Sequence, residues 1–328
     1  MFAKILTTTL TVVAGIGAAL LLFWILNKLA ELLPGKWEHR VKPYFYILPA
    51  FASILLYLIY PTVLTFNNSF KDRLSRKYVG FENYTTLFKS QEFRETLLNT
   101  LLWVIIVPAV AVVLGLAVAV LTDRLSPGAE KFSKTVLFLP MAISMIGAAT
   151  IWRFVYAAEP KGQPQIGILN AFIGIFDWGP VAWLTKSNFH LNSLLLMVIL
   201  LWAQIGFSMV LLSAAVKGVP ADTLEAARID GANERQIFFR VTVPQIKGTL
   251  ITVLITVTIG TMKVFDIVYV NTNGDFNTNV LGNLFYNNIN TFLNYGAASA
   301  IVVILMIAVI PIMWYQVRHF RAEEAGAS

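Results

Sequence analysis

The chain has 328 residues, of which 57% are hydrophobic and 13% are charged, and its formal net charge at pH 7 is +7. This composition, with a mean hydropathy of +0.69, excludes a soluble globular domain and predicts an all-α polytopic bundle of transmembrane helices. The absence of cysteine excludes disulfides and cysteine-ligated metal sites. Lys and Arg on membrane loops explain the positive charge, so it indicates no nucleic-acid partner.

Seven apolar stretches are each close to the ~20 residues that cross a bilayer core. In chain order they are residues 6–25, 44–64, 100–121, 135–156, 191–216, 250–270 and 297–315. The first stretch follows Lys4 as a signal peptide would, but it is long and lacks a clear cleavage site before Lys28. We therefore predict about seven transmembrane helices and a retained N-terminal one.

A further apolar stretch, residues 166–184, is also long enough to cross a membrane. Turn-forming and charged residues interrupt it, namely Gly174, Asp177, Gly179 and Pro180. We therefore predict short helices in an external loop at this position.

A charged stretch at residues 219–244 separates the fifth and sixth predicted spans. Pro220 opens a short helix at a position where its missing N–H costs nothing, and Glu225 lies where the helix dipole favours a carboxylate. Gly231 ends this helix, because glycine readily adopts the left-handed conformation that turns the chain. A second short helix follows at about residues 233–241, so the pattern predicts a helix-turn-helix at the membrane surface.

The residues of this stretch match a known motif. Glu225-Ala226-Ala227 is followed after three residues by Gly231, and after nine more by Val241-Thr242-Val243-Pro244. This order resembles the EAA loop of binding-protein-dependent ABC importer permeases, E-A-A-x3-G-x9-I-x-L-P, with valine replacing the usual Ile and Leu. The resemblance implies a coupling helix that docks on a cytoplasmic ATPase through Glu225, Ala226, Ala227, Asp230, Gly231 and Pro244. The alternative is an interfacial amphipathic turn without a partner.

The resemblance extends beyond this loop. Residues 79–84, Val-Gly-Phe-Glu-Asn-Tyr, are similar to the G-L-x-N-Y segment of carbohydrate-type permeases, and matches run from about Pro43 to Arg318. This extent implies a six-helix type I importer core in a permease domain at residues 41–328, and a peripheral transmembrane helix at residues 1–40. It also implies a multi-pass protein of the bacterial inner (cytoplasmic) membrane. The loops on the side of residues 219–244 carry a modest excess of Lys and Arg, as cytoplasmic loops should.

No motif for enzymatic chemistry is present. The sequence has no G-x-x-x-x-G-K-[ST] to cradle a nucleotide, no H-E-x-x-H and no nucleophile elbow. We therefore predict no catalytic residue, metal site or cofactor in this chain. The resemblance implies that ATP and Mg²⁺ are bound by a partner ATPase.

Polar and aromatic side chains at membrane depth are costly unless they face a cavity or a partner. The fifth and sixth predicted spans offer aromatic rings, an amide, hydroxyls and a carboxylate, which suit the C–H faces and hydroxyl groups of a sugar. By resemblance to maltose-type permeases, the predicted substrate-binding residues are Trp202, Gln204, Phe207, Thr258, Thr261 and Asp266. The alternative is that the threonines bond their own helix backbone and that Trp202 marks a packing contact.

Lys263 and Asp266 are three residues apart, which would place them on one face of a continuous helix. We predict an internal ion pair, and the alternative is the coupling site of a proton- or cation-driven secondary transporter. Such a transporter would need an internal inverted repeat, and the sequence has no convincing one. A non-transporting membrane assembly subunit is a further alternative, and it would not need the polar faces of these spans.

The Asn-rich residues 271–294 are predicted to form an external loop. By resemblance this loop faces a substrate-binding protein, and the alternative is a plain solvated loop.

The resemblance as a whole implies the permease subunit of an ATP-driven importer that moves a sugar by alternating access. The sugar would be an alpha-glucoside or a related oligosaccharide. The implied partners are a cytoplasmic ATPase dimer, a second and different permease subunit, a periplasmic or lipid-anchored sugar-binding protein, and membrane lipid.

Overall fold

The computed structural model describes residues 2–32, 35–185 and 190–327. Within these residues the regular structure is helical, apart from one isolated bridge between Lys71 and Tyr78. The predicted all-α class is therefore confirmed. Contacts divide the chain into two compact units, Met1–Asn67 and Asn68–Ser328, whereas the predicted boundary near residue 40 stays a prediction.

The first unit is built from two long helical segments. Helix α1 is Phe2–Glu31, and α2 is Gly35–Ile54, which continues through a π-helical turn, Leu55–Ile59, into α3, Tyr60–Asn68. The Tyr46 hydroxyl donates to Asn27 Oδ1 over 3.0 Å, and its ring stacks on Phe23. These contacts join α1 to α2.

The second unit contains the other helices of the described residues. In chain order they are α4 (Glu82–Lys89), α5 (Gln91–Thr122), α6 (Pro127–Phe138), α7 (Met145–Val155), α8 (Ile168–Gly174), α9 (Leu191–Lys217), α10 (Ala221–Ile229), α11 (Glu234–Ile237), α12 (Val243–Gln245), α13 (Lys247–Met262), α14 (Asp266–Asn271), α15 (Leu281–Asn290) and α16 (Tyr295–Ala327).

The core of the second unit lies between α5, α9 and α13. Trp103 on α5, Leu196 and Met209 on α9, and Val253 on α13 are all fully buried. Lipid tails are as apolar as these side chains, so close packing rather than escape from water holds such helices together. The three helices therefore form the frame on which the shorter segments are placed.

The described part of the chain has five unbroken helices that are long and apolar enough to cross a membrane, and two bent pairs raise this to seven. The predicted continuous span at residues 135–156 is wrong: α6 and α7 meet at 102°. Pro140 lies in a 3-10 turn between them, and the Ser144 hydroxyl caps α7 by accepting from the Gly147 N–H. A proline and a capping serine explain why the helix stops and restarts.

The predicted continuous span at residues 250–270 is also wrong. Helix α13 ends at Met262, and α14 begins only at Asp266. The Phe265 ring packs on Tyr269 and on Tyr286 of α15, with centroids 5.1 and 4.7 Å away. This aromatic contact with a distant helix accompanies the non-helical backbone of Phe265.

The Asn-rich residues do not form a plain solvated loop. They contain α15, and buried amides anchor the turn before it. Asn283 Nδ2 donates to the Asn273 carbonyl and to Asn279 Oδ1, and Asn192 of α9 donates to the Phe276 carbonyl over 2.7 Å. In contrast, one of the short helices predicted within residues 166–184 is confirmed as α8, and the external position of this stretch stays a prediction.

Candidate functional site

The stretch at residues 219–244 forms the predicted helix-turn-helix. Helix α10 follows Pro220 and ends at Ile229. Gly231 has φ +81°, and the Ala232 N–H reaches back to the Ala227 carbonyl over 3.0 Å. The predicted left-handed glycine is thus confirmed.

The second half of the stretch is capped and braced. Asn233 and Gln236 form a reciprocal capping box at the start of α11. Across the turn, Arg228 Nε donates to Glu234 over 2.9 Å, which raises the pKa of the Arg228 guanidinium because the carboxylate stabilises its charge. After α11 the chain continues through a π-helical turn, Phe238–Thr242, into α12. These contacts hold the two halves at one angle.

One side of α10 is exposed and the second half is anchored. Glu225, Ala226 and Asp230 are exposed, and Ile229 between them is 85% exposed, whereas Ile237 is only 3% exposed. Ala227 is half-buried and Pro244 exposed. Ile229 therefore adds an exposed apolar side chain to the small and acidic residues of the motif. The motif did not identify Ile229, although its position four residues after Glu225 places both on one helix face.

A cluster of charged and hydroxyl groups lies at the base of this stretch. The Lys134 ammonium lies 2.6 Å from Asp123 and 2.6 Å from Glu130. The Ser213 hydroxyl donates to Asp123 over 2.8 Å and contacts Lys134. Lys217 contacts Glu130 and lies 3.8 Å from Asp123. This cluster joins the end of α5, α6 and the end of α9, and the sequence analysis missed it, although the i,i+4 spacing of Glu130 and Lys134 was a signal.

Replacing Lys134 with glutamine is expected to loosen this junction. The change removes the cation between two carboxylates, and Asp123 Oδ2 is already buried without a hydrogen-bond partner. Hydrogen bonds to charged groups contribute about 1.5–3 kcal/mol each, so the purified complex should unfold at a lower temperature in detergent. The matched control is Lys131→Gln, an exposed cation on the same helix. Equal unfolding temperatures for the two variants would show that the cluster does not stabilise this junction.

A small cavity of about 140 Å³ lies in the bundle where three helix ends meet. They are the start of α7, the end of α13 and the start of α14, with α9 as the remaining wall. The lining residues are Met145, Leu200, Gln204, Gly260, Lys263, Val264, Phe265, Asp266 and Ile267. Interrupted helices are tolerated in membrane proteins where they are buried in protein or line a cavity. The two breaks that the sequence analysis missed therefore both lie at this cavity.

Three polar side chains line the cavity. Within the described residues, no hydrogen bond or ion pair engages the side chains of Gln204, Lys263 or Asp266. An amide, an ammonium and a carboxylate there, beside the Phe265 ring, offer donors, acceptors and an apolar face to a polyhydroxylated ligand.

The structure brings together two of the six predicted substrate residues. Gln204 and Asp266 both line the cavity, whereas Trp202 packs edge-on against Trp152 with ring centroids 5.9 Å apart. Phe207 packs against the core. The Thr261 hydroxyl is buried and bonds the Val257 carbonyl of its own helix.

Thr258 faces a different groove. Its hydroxyl bonds the Leu254 carbonyl, and its side chain lies near Pro311 and Tyr315 of α16. The substrate roles of all six residues stay predictions.

The predicted ion pair between Lys263 and Asp266 is wrong. Lys263 follows the last residue of α13 and Asp266 is the first residue of α14, so the two do not share a continuous helix face. Among the described residues no salt bridge joins them. Asp266 instead lies in the first turn of a helix, where the dipole favours a carboxylate.

Comparison with known proteins gives a consistent result. Residues 111–322 match the family model described as "binding-protein-dependent transport system inner membrane component". The chain is 40% identical to the alpha-glucoside transport system permease protein AglF of Rhizobium meliloti (strain 1021), over 98% of this chain and 99% of that protein. It is 45% identical to the osmoprotective compounds uptake permease protein GgtC of Synechocystis sp. (strain ATCC 27184 / PCC 6803 / Kazusa), over 85% of this chain and 99% of that protein.

A solved structure has the same fold. It is a chain from a bacterial ABC transporter involved in the import of the acidic polysaccharide alginate, with a TM-score of 0.74 and 21% sequence identity. The match covers 86% of this chain and 98% of that one. The fold of this chain is therefore that of an ABC importer permease.

Proposed function

The chain belongs to the family of binding-protein-dependent transport system inner membrane components, and we propose that it carries an alpha-glucoside or a related glycosyl compound across a bacterial inner membrane. The alpha-glucoside permease supports this substrate class, because it is similar over nearly the whole of both chains. The relative named for uptake of osmoprotective compounds is similar over nearly the whole of its own length, so a compound of that kind is the second candidate cargo.

The proposed mechanism depends on how the exposed helix α10 is connected along the chain to the walls of the cavity. Helix α9 leads into α10 through Gly218–Pro220, and α11 and α12 lead into α13. The same two long helices, α9 and α13, provide Gln204 and Gly260 to the cavity. A displacement of residues 219–244 by a closing ATPase therefore moves two cavity walls together, which is what alternating access requires.

The ATPase contact is assigned to the exposed side of α10. Glu225 and Asp230 would form charge-assisted contacts with cations of the ATPase, and Ile229, Ala226 and Ala227 would fill an apolar groove on it. The chain lacks a phosphate-cradling loop, so ATP and Mg²⁺ belong to that partner. This chain then supplies the path, and the partner supplies the energy.

The cargo contact is assigned to the cavity. Gln204 and Asp266 would bond sugar hydroxyls, with the Phe265 ring beside a C–H face. The volume of about 140 Å³ is below the roughly 300–1,000 Å³ of typical ligand pockets, so one chain supplies only part of the site. A second, different permease subunit completes it, and a sugar-binding protein delivers the cargo at the side where the anchored turn of residues 272–280 lies.

The test is purification of the tagged chain with its ATPase and second permease, followed by reconstitution with candidate binding proteins. We expect ATP hydrolysis to rise when binding protein and an alpha-glucoside are both present. Gln204→Ala should raise the sugar concentration at half-maximal uptake by about tenfold, since a lost hydrogen bond in a buried polar site costs about 1–1.5 kcal/mol.

The matched control for that variant is Thr256→Ala. Thr256 is an exposed residue of α13 that bonds its own helix at Thr252 and does not line the cavity. Sugar uptake that persists without ATP and follows an ion gradient would contradict the proposed function. Equal half-maximal concentrations for both variants would contradict the cavity assignment alone.

A further inference from the structure

A cleft of about 530 Å³ lies between α5, the end of α9 and residues 219–244. It is separate from the exposed side of α10 and from the cavity. Its lining combines apolar side chains with three arginines and one glutamate. The lining residues that matter most are Val120, Leu121, Arg124, Leu224, Arg235 and Phe239.

The apolar wall of the cleft is exposed. Leu121 on α5 is 63% exposed and Phe239 is 60% exposed. Both lie beside Val120 and Leu224, so the exposed side chains form a continuous apolar surface. In water such a surface would be a liability, whereas against an acyl chain it is favourable.

The charged rim of the cleft is net positive. Arg228 binds Glu234 through two of its nitrogens, 2.9 and 3.4 Å from the two carboxylate oxygens. No ion pair within the described residues engages Arg124 or Arg235. Arg228 lowers the pKa of the Glu234 carboxyl through this hydrogen bond, and Arg124 also lowers it electrostatically. Arg124 forms no direct contact with that carboxyl, so Arg124 and Arg235 can both bind an anion, and the planar guanidinium suits phosphate oxygens.

The end of the apolar helix α5 indicates where hydrocarbon would give way to headgroups, and the cleft lies beside that end. Arg124 is two residues beyond the end of α5, while Leu121 and Val120 belong to its last turn. A cation just past the end of an apolar helix, above a groove lined by that helix, matches the division of a phospholipid into phosphate and acyl chain.

We propose that this cleft binds one anionic phospholipid, with its phosphate between Arg124 and Arg235 and an acyl chain along Val120, Leu121 and Phe239. The bound lipid fills the space behind residues 219–244 and braces them against α5. The inference rests on the proposed function only in placing this end of α5 at the cytoplasmic leaflet. Two features favour a lipid over a protein segment. The positive rim complements an anionic headgroup, and the apolar floor continues along the side of the spanning helix α5, where an acyl chain would lie.

The first test is native mass spectrometry of the purified complex after exchange into phosphatidylglycerol or phosphatidylcholine. We expect phosphatidylglycerol to be retained by the wild type. Arg124→Gln combined with Arg235→Gln should weaken its retention roughly 30-fold, which corresponds to the loss of two cations near the membrane surface. The matched control is Arg240→Gln combined with Lys247→Gln, which removes two exposed cations of the same region that do not line the cleft.

The second test uses the absence of cysteine from the chain. A Phe239→Cys variant, reconstituted in nanodiscs, is labelled with a maleimide, and we expect phosphatidylglycerol to slow the labelling whereas inorganic phosphate does not. Protection by phosphate alone would mean that the cleft binds a free anion. Protection that requires the second permease subunit and no lipid would mean that a protein covers it.

Equal lipid retention by the arginine variant and its control would overturn the proposal. Lipid retention is measured without sugar or ATP, so its loss is distinguishable from failure of the proposed transport function. Sugar-stimulated hydrolysis in phosphatidylcholine alone would support the importer function, and the lipid proposal would still be decided by the retention of phosphatidylglycerol.

Discussion

Gly231→Val is expected to abolish sugar-stimulated ATP hydrolysis and uptake while leaving membrane insertion intact. Gly231 has φ +81°, a conformation that a β-branched residue rarely adopts. Holding valine there costs about 1–3 kcal/mol, and the turn between α10 and α11 would relax to another angle. The exposed side of α10 would then no longer meet the ATPase while Ile237 stays anchored. The measurement is the ratio of sugar-stimulated to basal hydrolysis in the reconstituted complex.

The reason for this effect is the backbone and not crowding. No atom lies within 4 Å of the position that a Cβ at Gly231 would occupy. Asparagine tolerates the left-handed conformation far better than valine does, so Gly231→Asn should retain much of the stimulation although its side chain is of similar size. Equal loss in the two variants would show that side-chain volume, and not backbone conformation, sets the requirement at this position.

Gly206→Val is expected to prevent a stable permease from forming. A Cβ at Gly206 would lie 2.2 Å from the Leu137 carbonyl oxygen and 2.9 Å from the Phe138 Cα. These are backbone atoms of α6, so the clash cannot be relieved by turning a side chain. Overpacking of this kind costs about 1–3 kcal/mol or more, and here α6 must move away from α9, which also breaks the Lys134 cluster. We expect loss of the monodisperse peak in size-exclusion chromatography and no uptake.

The matched control for Gly206 is Gly128→Val on the same packing partner, α6. Nothing lies within 4 Å of a Cβ at Gly128, which is exposed near the start of the helix. This variant should elute and transport like the wild type. A normal elution profile for Gly206→Val would mean that α6 and α9 are not in close contact in the membrane.

The elements that sequence analysis predicted well have local causes. The turn at Gly231 depends on one residue and its neighbours, and the start of α10 depends on Pro220. The long spans α5, α9 and α16 are recognisable because each is continuously apolar over about 20 residues or more. The permease class follows from these local features together with the spacing of the Glu225 to Pro244 motif.

The elements that sequence analysis missed have distant causes. Both breaks lie inside apolar stretches, so hydropathy alone predicts a continuous helix at each of them. Pro140 and Ser144 were a weak signal for the first break. The second, between Met262 and Asp266, coincides with the packing of Phe265 on Tyr286, which follows twenty-one residues later in the chain.

The predicted substrate residues also show which features are local and which depend on distant contacts. Residue type and depth selected Trp202, Gln204 and Asp266 as candidates, but only the packing distinguishes a tryptophan against Trp152 from a glutamine in a cavity. Thr258 and Thr261 both bond the backbone of α13, and only the packing shows that Thr258 borders the groove with α16 whereas Thr261 is buried.

The sequence by itself determined the membrane class, the positions of the unbroken helices and the helix-turn-helix at residues 219–244, because hydropathy and turn chemistry act over a few neighbouring residues. Only the tertiary structure decided where helices break, which polar groups share the cavity, and that Arg124 and Arg235 border one cleft. These features depend on contacts between segments far apart in the chain, and apolar composition is the same on a helix face that meets lipid and on one that meets another helix.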